Sequence, residues 1–434
     1  MLGAALPAGA QTTYRLHDLG QLDGVGSFPT GINDNGQASG WLIDSTHTQR
    51  AVRSVDDVFQ LVPGLEGFTL EPDGINQNGD LTGGITISPF PGGVVHAFRF
   101  TDSGGLEDLG LLGGNEAFGT SINSSGQVVG WSYNSGGGTN AFLANPGQPM
   151  TMLPLGYAGG INDAGQIAGY DGAPPGPFHA FMYSTATGLV DLGAPNGYSA
   201  AQGINNAGQI AGTIGIPSHL HAARYNPGVG FQDIDPVATR NSQGWAINDH
   251  GDVVGSFSTS LFNHAFVFTA ADGFVDLNTR IASGGEGWIL VSATGINDAG
   301  EIVGTAQFGS QGPPRGFKLV PLDTVPPVIT AASANPAIIL DRNGGVVPDQ
   351  ISVTVTDNAD PSPHCTVTAV SVSEPNSSGD AVITGPLTIS VRAKRTGGAA
   401  TGRVYTATIV CSDTENNTAT TTATVTVVHD SSSK

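Results

Sequence analysis

Gly160-Ile161-Asn162-Asp163-Ala164-Gly165-Gln166-Ile167-Ala168-Gly169 is the stretch on which the reading of this chain turns. Its Ile-Asn pair recurs at Ile32-Asn33, Ile75-Asn76, Ile122-Asn123, Ile204-Asn205, Ile247-Asn248 and Ile296-Asn297, in steps of 43, 47, 39, 43, 43 and 49 residues. Within each copy a short apolar run leads to Asn-x-x-Gly, then to a second apolar run. Asn can hydrogen-bond backbone two residues on, and Gly supplies the positive φ of a tight turn. The stretch therefore predicts two antiparallel strands joined by a turn, repeated at a period near that of stacked β-units.

Working outward from this specimen, Gln166–Gly169 is the predicted second strand and Tyr170–Phe178 a Gly/Pro-rich loop. His179-Ala180-Phe181-Met182-Tyr183 alternates as a third strand, and Leu189-Val190-Asp191-Leu192-Gly193 is a fourth. The third strand recurs at His96-Ala97-Phe98, Asn140-Ala141-Phe142, His221-Ala222-Ala223 and His264-Ala265-Phe266, and in worn form at Arg50-Ala51-Val52 and Arg315-Gly316-Phe317. The fourth recurs at Asp108-Leu109-Gly110, Asp233-Ile234-Asp235 and Asp276-Leu277-Asn278. Four short strands per repeat is the blade of a β-propeller. The seventh repeat has no fourth strand of its own, whereas Tyr14–Gly20 is a fourth strand with no repeat before it. Placing the N-terminal strand in the last blade completes both, so the expected fold is all-β: a seven-bladed β-propeller over residues 11–322.

The motif Gly-Ile-Asn-Asp-x-Gly-Gln-Ile/Val-x-Gly, followed at fixed offsets by His-Ala-Phe and Asp-Leu-Gly, resembles the bacterial extracellular HAF-repeat family across residues 14–322. The resemblance implies an exported repeat protein and brings no activity or functional residues with it. His-Ala-Phe is intact only at His96, His179 and His264, which argues against a role needing a histidine in every blade.

Residues 323–434 differ in character. A Pro-rich hinge, Asp323–Ile329, precedes alternating strands, and Cys365 and Cys411 are the only cysteines in the chain. They fit neither a zinc site nor a redox dithiol, and read as a disulfide formed in an oxidising compartment. The segment resembles an immunoglobulin-like or hyalin-repeat-like β-sandwich. Asp357, Asp360 and Asp413 are candidate Ca²⁺ ligands there, with ordinary turn chemistry as the other reading; no specific motif calls for a cofactor. Residues 1–10 read as the tail of a secretory signal, Ala8-Gly9-Ala10 fitting the cleavage pattern, so a secreted bacterial protein is expected.

Composition narrows the partners. With 36 acidic against 15 basic residues the formal charge is −21, which disfavours nucleic acid and anionic membrane surfaces. No run reaches the length of a membrane-spanning helix. Charged residues are only 12%, while Gly (64) and Pro (27) are abundant, as many short strands and turns require.

Strand alternation assigns the loops to two faces. The Asn-x-x-Gly turns lie on one face and are nearly uniform; the loops of varying length and composition lie on the other. A ligand site is expected on the variable face near the ring axis. The candidates are Trp41, Trp131 and Tyr170, each directly after the Gly that ends a second strand, and Trp245, Trp288, Glu71, Asp73, Glu116 and Glu286 on the way into first strands. Flat rings beside carboxylates suit a carbohydrate, whereas packing between blades and solvated loops would account for the same residues without a ligand. His96, His179, His221 and His264 are read as packing or hydrogen-bonding groups rather than metal ligands. The expected function is a non-catalytic binding or scaffold protein for an extracellular glycan or protein. The alternative is a secreted polysaccharide lyase or glycoside hydrolase using acids near the axis, and a structural matrix component is a third possibility. No nucleophile elbow, His-Glu-x-x-His or phosphate-binding loop occurs.

Overall fold

The structure, a computed structural model of the chain, describes residues 12–22, 25–88, 93–171, 178–216, 219–309, 312–341, 343–358, 360–374, 379–394 and 402–429. The secretory-signal reading of residues 1–10, and most of the loop expected between Tyr170 and Phe178, lie outside them. The chain divides into two compact units, Gln11–Pro321 and Leu322–Lys434. Among the described residues the architecture is all-β, interrupted by the 3-10 turns Pro195–Gly197 and Leu277–Thr279.

The first unit is propeller-like, with antiparallel four-stranded sheets repeating along the chain. The specimen sheet runs Tyr157–Ile161, Ile167–Asp171, His179–Ser184, Gly188–Asp191 in that order. The second strand thus continues past Gly169, where the sequence suggested it would end. Gly169 does not break the strand; it answers a contact across the sheet. Each first strand carries a bulge, seen as a register shift between Pro29/Gly31, Pro72/Gly74, Gly119/Ser121, Ala158/Gly160, Ala201/Gly203, Gly244/Ala246 and Ala293/Gly295. A bulge bends its strand and re-aims a residue. Here it drives a carbonyl toward the facing strand, so that a Cβ added at Gly40, Gly83, Gly130, Gly169, Gly212, Gly255 or Gly304 would lie 1.9 to 2.2 Å from a carbonyl oxygen opposite. The glycine ending the repeated motif is the partner of a bulge.

The Ile-Asn pairs form the inner scaffold. Asn162 Oδ1 accepts from the Gln166 N–H at 2.9 Å, closing the turn, and Gly165 N–H donates to the Asn162 carbonyl at 3.0 Å. One Asn162 amide hydrogen goes to Gln166 Oε1 at 2.8 Å, and Nδ2 also reaches the Asn205 carbonyl of the next repeat at 3.0 Å. The inter-repeat bond recurs from Asn33 to Asn76, Asn76 to Asn123, Asn123 to Asn162, Asn205 to Asn248, Asn248 to Asn297 and Asn297 back to Asn33, at 2.9–3.1 Å. These asparagines are 2–4% exposed, so the bonds are made where water does not compete. Each contributes about 1 kcal/mol net and would cost more if left unmade.

Tyr14–Asp18 pairs antiparallel with Pro314–Pro321, in register from Tyr14↔Pro321 to Asp18↔Phe317. Tyr14, Leu16, Phe317 and Leu319 are buried in one apolar cluster.

The second unit contains two four-stranded sheets. One is ordered Val328–Asn335, Val346–Thr356, Thr388–Arg392, Ala381–Gly385; the other Ile338–Leu340, Thr418–Val428, Arg403–Ser412, His364–Val372. Their alternating apolar residues, Ile351, Ile389, Val391, Tyr405, Ile409, Val425 and Val427 among them, form its core. Cys365 and Cys411 form a disulfide directly across two neighbouring strands of one sheet.

Candidate functional site

The bulge that the motif glycine accommodates also builds a cavity. The extra residue in each first strand, Thr30, Asp73, Thr120, Gly159, Gln202, Trp245 or Thr294, lines one space of about 390 Å³ surrounded by the first strands. Ile32, Ile75, Ile204, Ile247 and Ile296 line this space and also a second cavity, of about 210 Å³, at the Asn-x-x-Gly turns, where Ile122 and Ile161 join them. The isoleucine half of the Ile-Asn pair thus separates two openings, while the asparagine half ties the strands together.

The two openings differ in what their polar groups are doing. At the turns, the residue after each Asn is engaged with its neighbour. Asp34 N–H donates to Gln77 Oε1, Ser124 N–H to Asp163, Asp163 N–H to Asn206, Asn206 N–H to Asp249, Asp249 N–H to Asp298 and Asp298 N–H to Asp34, at 2.8–3.0 Å. Those acids serve the scaffold.

At the other opening the threonines do the same. Thr30 Oγ1 donates to the Pro72 carbonyl at 2.8 Å, Thr120 Oγ1 to Ala158 at 2.7 Å and Thr294 Oγ1 to Pro29 at 2.8 Å. The departures from threonine behave differently. Asp73 and Gln202 make no side-chain hydrogen bond or ion pair with any described residue. Gly159 has no room for a side chain, since its Cβ would sit 2.4 Å from the Gln202 carbonyl oxygen. Tyr157, two residues earlier, lines the cavity instead. Trp245 Nε1 makes only a long 3.4 Å contact with Ser256 Oγ. Burial, and then the nearby Glu71 carboxylate, push the Asp73 carboxyl up to about 7. Burial, Tyr170 and Asp73 together raise the Tyr157 phenol. This opening holds unspent hydrogen-bonding groups beside two aromatic rings, the kind of lining that orients a small ligand.

Of the residues singled out from sequence, only Asp73 and Trp245 meet in this cavity. Glu71 and Glu116 line a separate, smaller one of about 130 Å³, where Gln49 donates a short hydrogen bond to Glu71 and burial raises the Glu71 carboxyl. Trp41 stacks on Phe28 with centroids 4.1 Å apart, Trp131 on Phe118 at 5.3 Å and Tyr170 on Tyr157 at 4.7 Å. These are register partners on the first and second strands, and the rings cover the sheet beside each bulge. Trp288 packs edge-on to Phe308 at 5.7 Å. None of the four tryptophans is fully buried, and Glu286 is exposed ahead of Trp288.

Sequence reading missed Tyr157, Gln202 and the threonines. The available signal for Gln202 and the threonines was the residue three places before each Asn, which runs Thr, Asp, Thr, Gly, Gln, Trp, Thr between small or Pro residues that change less.

The repeated histidines find carboxylate partners. His96, His221 and His264 Nδ1 lie 2.8 Å from Asp108, Asp233 and Asp276, and His179 Nδ1 lies 3.3 Å from Asp191. The His of His-Ala-Phe and the Asp of Asp-Leu-Gly are the two halves of one contact between the third and fourth strands.

In the second unit, carboxylate oxygens of Asp323, Asp357 and Asp413 lie within 4.8 Å of one another, a spacing compatible with a divalent cation. Asp323 occupies the place expected for Asp360, whose N–H instead donates to Asp357 in a turn. Asp413 accepts from Asn417 N–H and Nδ2 at 2.8 and 2.9 Å.

No family model matches the chain, and no curated protein matches it in sequence. Among solved structures, TolB from Acinetobacter baumannii shares 10% identity over 47% of this chain and 52% of its own, with a TM-score of 0.36. A putative TolB from Agrobacterium tumefaciens shares 12% over 66% and 99%, with a TM-score of 0.39. A puromycin-hydrolyzing peptidase from Mycobacterium tuberculosis shares 11% over 75% and 59%, with a TM-score of 0.45. The chain spans about half the length of the Acinetobacter protein. Likenesses this low assign neither a function nor a residue role here.

Proposed function

We propose that this chain is an exported, non-catalytic recognition protein of the HAF-repeat kind. Gln11–Pro321 would be a seven-bladed β-propeller closed by its N-terminal strand, and it holds an extracellular saccharide in the cavity lined by the bulge residues. The C-terminal unit is an immunoglobulin-like spacer or second adhesive module. Closure is supported by the Asn297-to-Asn33 and Asp298-to-Asp34 bonds, and by Arg315, which meets Asp18 at 3.0 Å as histidines elsewhere meet the aspartates of fourth strands. The observation that carries the functional reading is the 390 Å³ cavity where Asp73, Gln202, Tyr157 and Trp245 converge with their hydrogen-bonding capacity largely unspent. Scaffold demands are met by threonine at Thr30, Thr120 and Thr294; the substitutions at the other bulges serve something else.

A glycan-array screen of the full chain tests this. Binding to a saccharide class that weakens at least about tenfold in Trp245→Ala, with the fold retained, is expected. Binding indifferent to that change would move the site elsewhere.

The enzymatic reading rests on one observation, that Glu71 and Glu116 line the same small cavity. Paired carboxylates are what glycoside hydrolysis needs. New reducing ends or unsaturated products from array hits, lost in Glu116→Gln, would favour it over recognition alone.

A further inference from the structure

We propose that the cavity lined by the bulge residues selects saccharides carrying a protonated amine, an amino sugar, over their neutral counterparts. This rests on the cavity being the saccharide site and adds what the ligand must carry. Among the described residues Asp73 is the only carboxylate lining the cavity, and no Lys, Arg or His lines it. A carboxylate facing such a space without a counter-charge is held at a cost, which a ligand cation would offset. Trp245 and Tyr157 line the same space, and aromatic faces attract ammonium groups as well as sugar rings.

The groups around Asp73 reinforce the sign. Glu71 on its own strand adds negative potential, and the Gln49 donor serves Glu71 instead of Asp73. Tyr157 from another repeat is a neutral phenol, raised further by burial. The other polar lining groups are Gln202, Ser121 and the three threonines, whose hydroxyls already donate to backbone carbonyls. A neutral sugar can accept and donate to Asp73 and Gln202. An amino sugar adds a charge-assisted bond, the stronger kind. The overall charge of −21 favours approach of the same ligand.

A consequence concerns pH. The Asp73 carboxyl, pushed up to about 7, must lose its proton to pair with an ammonium. Affinity for a cation of fixed charge should therefore rise from about pH 6 to about pH 8.

Calorimetric titration of the full chain with glucosamine trimer and with N-acetylglucosamine trimer tests the proposal, with choline as the non-titrating cation for the pH series. The amine trimer should bind about tenfold tighter or more. Asp73→Asn, which keeps the shape, should bring the two trimers to parity and flatten the pH series, while Gln202→Glu should widen the gap. Equal binding of both trimers by the unaltered protein, or a preference that survives Asp73→Asn, overturns the amine selectivity while leaving saccharide recognition standing. Failure of both trimers to bind a folded sample, with array hits elsewhere, overturns the saccharide reading of the cavity and this proposal with it.

Discussion

Two sets of residues sit three positions apart, one inside each first strand and one just past its end, and have opposite characters. Asn33, Asn76, Asn123, Asn162, Asn205, Asn248 and Asn297 are identical, nearly buried and bonded each to the next. The bulge residues three places earlier run Thr, Asp, Thr, Gly, Gln, Trp, Thr and line a cavity. Identity persists where a side chain holds the next repeat in place, and variation appears where a side chain meets open space. The threonines mark the boundary between the two regimes, because each lines the cavity and still clasps a neighbouring carbonyl. The two sets would not differ in this way if the variable residues were needed for folding, or if the uniform ones were not.

The largest effect is expected at the glycine that receives the bulge. In Gly169→Ala the new Cβ would sit 2.1 Å from the Tyr157 carbonyl oxygen, so the strands must part or the bulge must move. A loss of about 3–5 kcal/mol, or no folded product, is expected in urea denaturation. A near-neutral result would mean that the bulges, and the cavity they build, are not fixed by the sheet.

Next is the uniform set. Asn162→Ala removes the turn acceptor and both amide bonds and leaves the Asn205 carbonyl with only the Gly208 N–H of its own turn as donor. About 2–4 kcal/mol should be lost. Asn162→Asp keeps the acceptor and loses the donor, so it should fall between Ala and wild type; equal losses would assign the residue to the turn alone.

The boundary residues come third. Thr120→Val deletes one clasp to Ala158 and should cost about 1 kcal/mol with little effect on ligand binding. Gln202→Ala should do the reverse, staying within about 0.5 kcal/mol of wild type in stability while weakening binding.

The smallest effect is on the pH dependence of folding. The folded-state carboxyl of Asp73 is raised from 3.8 to about 7, so the folded protein holds that proton more tightly than the unfolded chain. Its stabilising contribution is present below the unfolded value and is lost as pH rises through the folded one. The stability of wild type relative to Asp73→Asn should therefore fall between about pH 4 and pH 7, measured by chemical denaturation at each pH. A difference that does not change with pH would place Asp73 in water.

Much of this architecture is legible because it repeats. Ile-Asn, Asn-x-x-Gly and the strand alternation recur often enough to predict the turns, the strands and an inner assembly of first strands. Bond partners were less visible: a sequence shows that Asn162 can cap its own turn, but only coordinates show the same amide reaching Asn205. The site was harder still. A bulge adds one residue with no hydrophobic period to mark it, so Gln202 and Thr120 look like ordinary strand residues. Trp41, Trp131 and Tyr170 attracted notice as large rings, yet each stacks on a register partner in its own sheet. Asp73 and Trp245 were singled out for their chemistry and proved to share a bulge position. The His-Ala-Phe and Asp-Leu-Gly motifs each looked self-contained, although they meet as His–Asp pairs.

A triple variant asks whether the two sets of residues can be separated. Asp73→Asn, Gln202→Ala and Trp245→Ala together replace the variable lining and leave every Asn bond and threonine clasp intact. Melting and calorimetric binding measured on the same sample should show stability within about 1 kcal/mol of wild type and no measurable binding of the amine trimer. Retained binding, or loss of the fold, would show that the variable lining and the scaffold are not separate.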